Sequence, residues 1–152
     1  MIYHHATKSL RETFPVRASE WALSVMIFNW GVVLLLNDNL FSISPSYNTF
    51  SSMMPEQAWG LVCLLVGLMR ILFLFINGLW RRSPHLRLIG AFAACFFWFQ
   101  ITAGFIYSGT WSTGLAIYPV LLLLDFHNVL RAATDAAIID RKYSEQRHGI
   151  NA

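Results

Sequence analysis

The chain has 152 residues, of which 56% are hydrophobic, 15% aromatic and only 12% charged, with a formal net charge of +3. This balance excludes an ordinary soluble domain of that size and marks an integral membrane protein. The positive excess is read as an attraction to anionic headgroups at a cytoplasmic leaflet, and no nucleic-acid partner is expected.

Residues 1–17 form a cytoplasmic arm in which Tyr3, Leu10 and Phe14 share one helical face while Lys8 and Arg11 fall elsewhere. Ser9 and Glu12 have capping-box spacing, so the arm reads as a short amphipathic helix on the inner leaflet or as an ordered tail. Four apolar segments follow, at about Ala18 to Leu36, Pro55 to Trp80, Pro84 to Tyr107 and Thr113 to Leu130. Each is long enough to span a bilayer, and lipid leaves backbone polar groups unsatisfied unless such segments are helical. The fold class is therefore all-α, an integral membrane four-helix transmembrane bundle. It occupies 18–143, counting a cytoplasmic extension of the fourth helix through the alanine-rich stretch after Arg131, and a flexible tail covers 144–152. The first segment follows a charged arm and is long enough to stay as a span, so it is not read as a cleaved signal.

Residue chemistry marks the boundaries. Ser19 is placed to cap the first helix, Pro55 and Pro84 suit first-turn positions, and Ser112 or Thr113 caps the fourth, in which Pro119 is expected to cause a kink. Trp21, Trp59, Trp80 and Trp111 fall at expected interfaces, as an aromatic belt would. The connection from Asn37 to Met54 carries Leu40, Phe41, Ile43, Tyr47 and Phe50, which either dip into the outer interface or cover the bundle end.

Orientation follows from the basic residues. Lys8, Arg11 and Arg17 lie in the arm, Arg81, Arg82 and Arg87 at the second-to-third junction, and Arg131, Arg141, Lys142 and Arg147 after the fourth span. The other two connections contain no Lys or Arg, so the positive-inside rule puts both termini in the cytoplasm.

Arg70 stands apart from this distribution. It lies about 16 Å before Arg81 along a helix, near the middle of the hydrocarbon layer, where a charge needs a partner. Its face follows steps of four and three residues through Glu56, Gly60, Cys63, Gly67, Arg70, Leu74, Asn77 and Arg81. The fourth segment offers a matching series in Gly114, Tyr118, Leu121, Asp125, Asn128, Ala132 and Asp135. Depth estimates from the two helix ends bracket a level pairing of Arg70 with Asp125. The expected intramembrane polar cluster is Arg70, Asp125, Asn29, Asn77 and Asn128, with Gln100 a weaker candidate. Gly60, Cys63, Gly67, Gly90, Ala94 and Gly114 are the expected helix-packing positions, small enough for close approach. The cluster reads either as a clamp that fixes helix register or as a hydrophilic seam for subunit association or a water-filled passage.

No catalytic constellation, metal site or cofactor site is expected. Cys63 and Cys95 lie in separate spans and read as small buried hydrophobes. His127 has no second embedded histidine to oppose it, and it points to a different helical face from Asp125. There is no glycine-rich phosphate loop and no His-Glu metal signature.

Three stretches carry a resemblance: Asn77-Gly78-Leu79-Trp80-Arg81-Arg82-Ser83-Pro84-His85-Leu86-Arg87, Arg17-Ala18-Ser19-Glu20-Trp21, and Gly114-Leu115-Ala116-Ile117-Tyr118-Pro119. Together they resemble small four-span membrane proteins encoded by bacteriophages and prophages. The resemblance implies a bacterial inner-membrane protein and no particular reaction. Within that setting the expected roles are holin-like permeabilisation for lysis through self-association, a scaffold or accessory subunit of a larger membrane assembly, or a small channel or transporter subunit.

Overall fold

The computed structural model describes residues 17–79, 83–109 and 111–150. The expected amphipathic arm, apart from Arg17, and the readings of Trp80, Arg81 and Arg82 lie outside the described residues. Helices make up the described chain, with no strand among the described residues. The elements are α1 (Ala18–Leu36), α2 (Leu40–Ile43), a 3-10 turn (Pro45–Tyr47), α3 (Asn48–Met53), α4 (Glu56–Leu79), α5 (Pro84–Tyr107) and α6 (Gly114–Ile150). Four of them, α1, α4, α5 and α6, are long and apolar enough to cross a membrane.

These four pack as a ring in which α1 lies beside α4, α4 beside α5, α5 beside α6 and α6 beside α1. The closest pairings are α1 with α4 and α5 with α6, so α1 faces α5, and α4 faces α6, across the two diagonals. Chain direction alternates around such a ring, and helices on one diagonal run the same way. The apolar surface left outside includes Val25, Leu65, Phe92, Phe96 and Leu123, as expected of faces meeting lipid.

The α1–α4 contact is close because two glycines permit it. A Cβ on Gly31 would collide with the backbone of Gly60 and Leu64, and one on Gly67 would fall 2.6 Å from the backbone of Phe28. Such approach brings the two backbones into direct van der Waals contact. Gly60 lies against Leu34 and Leu35 in the same interface, and Cys63 is fully buried. Gly90 on α5 faces Arg70 and Phe73, Ala94 is wholly inside the core, and Gly114 abuts the rings of Tyr118 and Phe105.

The connection from Asn37 to Met54 folds over the end of the bundle remote from the termini. Phe50 is buried at its centre, against Trp59 and Phe105 at 5.5 and 5.9 Å between ring centroids, and Gly104 leaves the space its ring fills. Glu56 accepts hydrogen bonds from the N–H groups of Leu40 (3.2 Å) and Phe41 (3.1 Å), capping α2 from sixteen residues away. Trp59, expected in an interfacial belt, is instead buried and donates Nε1–H to the Phe50 carbonyl at 3.1 Å. Trp111 is 98% exposed. Burial, followed by the neighbouring Tyr118 and Glu56, pushes the Tyr47 phenol above its ordinary range, so it stays protonated under this cap.

Two boundary expectations change, and one turn is added to them. Ser19 does not cap α1: Arg17 occupies the N-cap position without a side-chain bond, and the Ser19 hydroxyl is drawn into the interior by Asn128. Gly109, at φ 67°, takes the left-handed conformation that turns the chain after α5 at low steric cost. α6 remains helical through Pro119 and on to Ile150, past the start of the expected tail, with an Arg141–Glu145 pair at 2.9 Å on its exposed end.

Replacing Gly31 or Gly67 by Val should force α1 and α4 apart. We expect a loss of about 1–3 kcal/mol, the usual cost of overpacking, or more if the backbones cannot yield. Unfolding in mixed micelles would measure it, and an unchanged midpoint for both variants would contradict the packing described.

Candidate functional site

The inward faces of the helices concentrate polar groups in the half of the bundle nearest the termini. On α4, the buried line is Glu56, Gly60, Cys63, Gly67, Arg70, Leu74 and Asn77. On α6, Asp125, Asn128 and Ala132 are buried in the matching positions. Arg70 and Asp125 are 3% and 0% exposed. Arg70 Nη1 donates to Asp125 Oδ2 at 2.8 Å and Nη2 donates to Oδ1 at 2.6 Å, a bidentate fork across the α4–α6 diagonal. Asn128 Nδ2 donates to Asp125 Oδ1 at 3.3 Å, and the Ser19 hydroxyl donates to Asn128 Oδ1 at 2.9 Å. Gly90 makes this crossing possible: a Cβ there would stand 3.2 Å from Arg70 Cγ.

A second ion cluster joins the other diagonal. Arg87, in the first turn of α5, donates through Nε to Glu20 Oε2 at 3.0 Å and through Nη2 to Glu20 Oε1 on α1. Its remaining Nη1 donates to Asp135 Oδ2 on α6 at 2.8 Å. Glu20 and Arg87 are both buried, whereas Asp135 is partly open. The clusters meet at the start of α1, where Ser19 belongs to one and Glu20 to the other. Arg17 stands beside the second cluster. Burial, and after it the repulsion of Arg87, pulls its guanidinium below its usual range, while Glu20 and Asp135 act in the opposite sense.

The described positions of the expected polar residues divide. Arg70, Asp125 and Asn128 come together. Asn77 is buried but two turns away: its Nδ2 donates to the Phe73 carbonyl at 3.0 Å and its Oδ1 accepts from the Ser83 N–H at 2.6 Å, closing the end of α4. Asn29, expected beside Arg70, lies on the exposed outer face of α1, because the inward line of that helix runs Glu20, Ser24, Ile27, Gly31 and Leu34. Gln100 is half-buried and His127 is exposed.

Sequence reasoning missed the Glu20–Arg87–Asp135 cluster. Arg87 was assigned to the basic turn that sets orientation, which hid its place on the line with Gly90, Ala91, Ala94 and Trp98. The available signal was Glu20, an acid on the inward apolar line of α1.

The second cluster opens at the bundle end into a cavity of about 260 Å3, bordered by Arg17, Asn77, Arg87, Asp135 and Lys142. Among the described residues no group of three or more His, Cys, Asp or Glu side chains is placed to hold a metal ion. The charged donors and acceptors engage each other with short, directed bonds. What this arrangement can do chemically is fix geometry: it holds two pairs of non-adjacent helices at set separations.

No protein-family model, curated protein or solved structure matches the chain.

Removing one member of the Arg70–Asp125 pair leaves an unanswered buried charge, so Arg70→Met or Asp125→Leu alone should cost about 3–5 kcal/mol. The double substitution should recover most of that loss. A double-mutant cycle by unfolding in detergent is the measurement, and additive single effects would remove the pairing as a determinant. For the second cluster, Asp135→Asn should cost less than Glu20→Gln, because Asp135 is the open partner.

Proposed function

We propose that the protein is a non-enzymatic, phage-type component of a bacterial inner membrane that works as a scaffold or accessory subunit, self-associating or docking partners in the bilayer. The observation that carries this reading is the internal closure of the charges. Among the described residues, Arg70 is answered by Asp125, and Arg87 by Glu20 and Asp135, all within one chain. A conduction path or a lytic pore built on this seam needs charged groups turned toward water. Here the carboxylates and guanidinium groups face one another at hydrogen-bond distance, and the outer surfaces of the helices are largely apolar. That balance favours a locked structural unit over holin-like permeabilisation and over a channel or transporter subunit.

The handles for assembly lie at the end that carries the termini. There α6 projects an exposed stretch over 141–147, and Arg17 and Lys142 border the open cavity, where anionic headgroups are suitable neighbours. Every Lys and Arg except Arg70 lies in the arm, at the α4–α5 junction, in the first turn of α5 or from Arg131 onward. This distribution supports an inner-membrane orientation with both termini in the cytoplasm.

Inducible expression in bacteria discriminates the roles. A scaffold should accumulate without collapsing the membrane potential and should purify as an oligomer or with a stoichiometric partner. Abrupt depolarisation that lets a muralytic enzyme lyse the cells would overturn it in favour of the holin-like role. For orientation, a fluorescent protein fused after Ala152 should fluoresce and alkaline phosphatase fused there should be inactive, while phosphatase inserted in the Asn37–Met54 connection should be active. The reverse pattern would invert the orientation.

A further inference from the structure

The outer face of α1 carries a polar group that no other described residue answers. Half a turn from the inward line of this helix, the exposed line runs Ala22, Val25, Asn29, Val33 and Leu36. Asn29 sits at its centre and has no hydrogen-bond partner among the described residues. Along the helix it is about 16 Å from Ala18 and about 10 Å from Leu36, so its short side chain cannot reach either interface. A carboxamide left in hydrocarbon forgoes donors and an acceptor that lipid cannot replace.

The chemistry of the group says what covers it. A carboxamide both donates and accepts, so it is complementary to another carboxamide. Copies of one chain insert with one orientation, and a two-fold axis along the membrane normal then brings α1 against α1 in parallel, with each residue facing its own counterpart at the same depth. The steps from Ala22 to Val25 to Asn29 are those of a parallel helix seam, in which one central Asn fixes register and partner number. Ala22, Val25 and Val33 are small or β-branched and permit close approach. An unrelated partner would need its own polar group at the same height.

We propose that this face of α1 is the interface between two copies of the chain, packed in parallel, with the two Asn29 carboxamides hydrogen-bonded across the two-fold axis. The proposal rests on the self-association reading above and names its surface.

The test uses the full chain in native membranes, with Cys63 and Cys95 replaced by Ala and single cysteines introduced as Ala22→Cys, Val25→Cys, Val33→Cys and Leu36→Cys. Leu72→Cys on α4, Phe92→Cys on α5 and Leu123→Cys on α6, all exposed in the protomer, serve as controls. Oxidation should yield a product of twice the chain mass from the α1 positions and little from the controls. In the Val25→Cys background, adding Asn29→Val should reduce cross-linking roughly tenfold at limiting expression, whereas Asn29→Gln should largely retain it. Asn29 is exposed and has no hydrogen-bond partner among the described residues, so these changes leave the protomer's described interior intact. An oligomer seen by light scattering without α1 cross-links would overturn this interface and spare the self-association reading. A monomer by both measurements would overturn both. A cross-linked product of another mass, or an Asn29→Val variant that cross-links undiminished, would also overturn the proposal.

Discussion

The arrangement of the bundle depends on one constraint: a guanidinium placed deep in a low-dielectric interior needs a carboxylate opposite it. Arg70 meets this requirement through Asp125, which belongs to a helix that α4 hardly touches otherwise. The pair therefore sets a separation that side-chain packing alone would leave open. Arg87 and Glu20 do the same on the other diagonal, with Asp135 tying in α6. The two pairs cross the bundle on both diagonals and so tie each helix to the one opposite it. Buried pairs of this kind add little net stability compared with apolar residues, since desolvation offsets the attraction. Their contribution here is to fix the separation and the rotational phase of the helices they join.

The two ends of the molecule are held by different physics. Near the termini, directed ionic bonds dominate. At the opposite end the closure is aromatic, with Phe50 inserted among Trp59, Phe105 and Tyr47 and the short helices seated by the Glu56 carboxylate. Ring packing tolerates small shifts more readily than a bidentate fork does, and between the two ends the glycine contacts of Gly31 and Gly67 fix the α1–α4 spacing.

Much of this was legible because α4 repeats its small and polar residues in steps of three and four. That periodicity identified a buried line from Glu56 to Asn77, and the same steps on α6 put Asp125 and Asn128 opposite it. Depth alone was a poorer guide. It grouped Asn29 with Arg70 because both lie mid-span, whereas the rotational phase of α1, set by Gly31 and Ile27, turns Asn29 outward. Asn77 shares the face of Arg70, but a free N–H at Ser83 lies within its reach and claims it. Arg87 and Glu20 escaped because charges in a first helical turn ordinarily meet water, and only three-dimensional packing shows these two enclosed. Ser19 has the chemistry of a cap, yet an interior amide competes more effectively for its hydroxyl.

The Arg70–Asp125 bond also bears on how the chain is made. Its members are 55 residues apart in sequence. At about 5–20 residues per second, the ribosome supplies Asp125 roughly 3–11 seconds after Arg70. During that interval α4 lacks its counter-ion, and in the bilayer setting proposed above a central arginine offsets about 2.5–3.5 kcal/mol of the insertion that the apolar residues of the helix favour. Until α6 is made, the charge on α4 has no carboxylate opposite it. A bond that orders space in the finished bundle is thus also a late event in its synthesis, closing only once Asp125 has been translated.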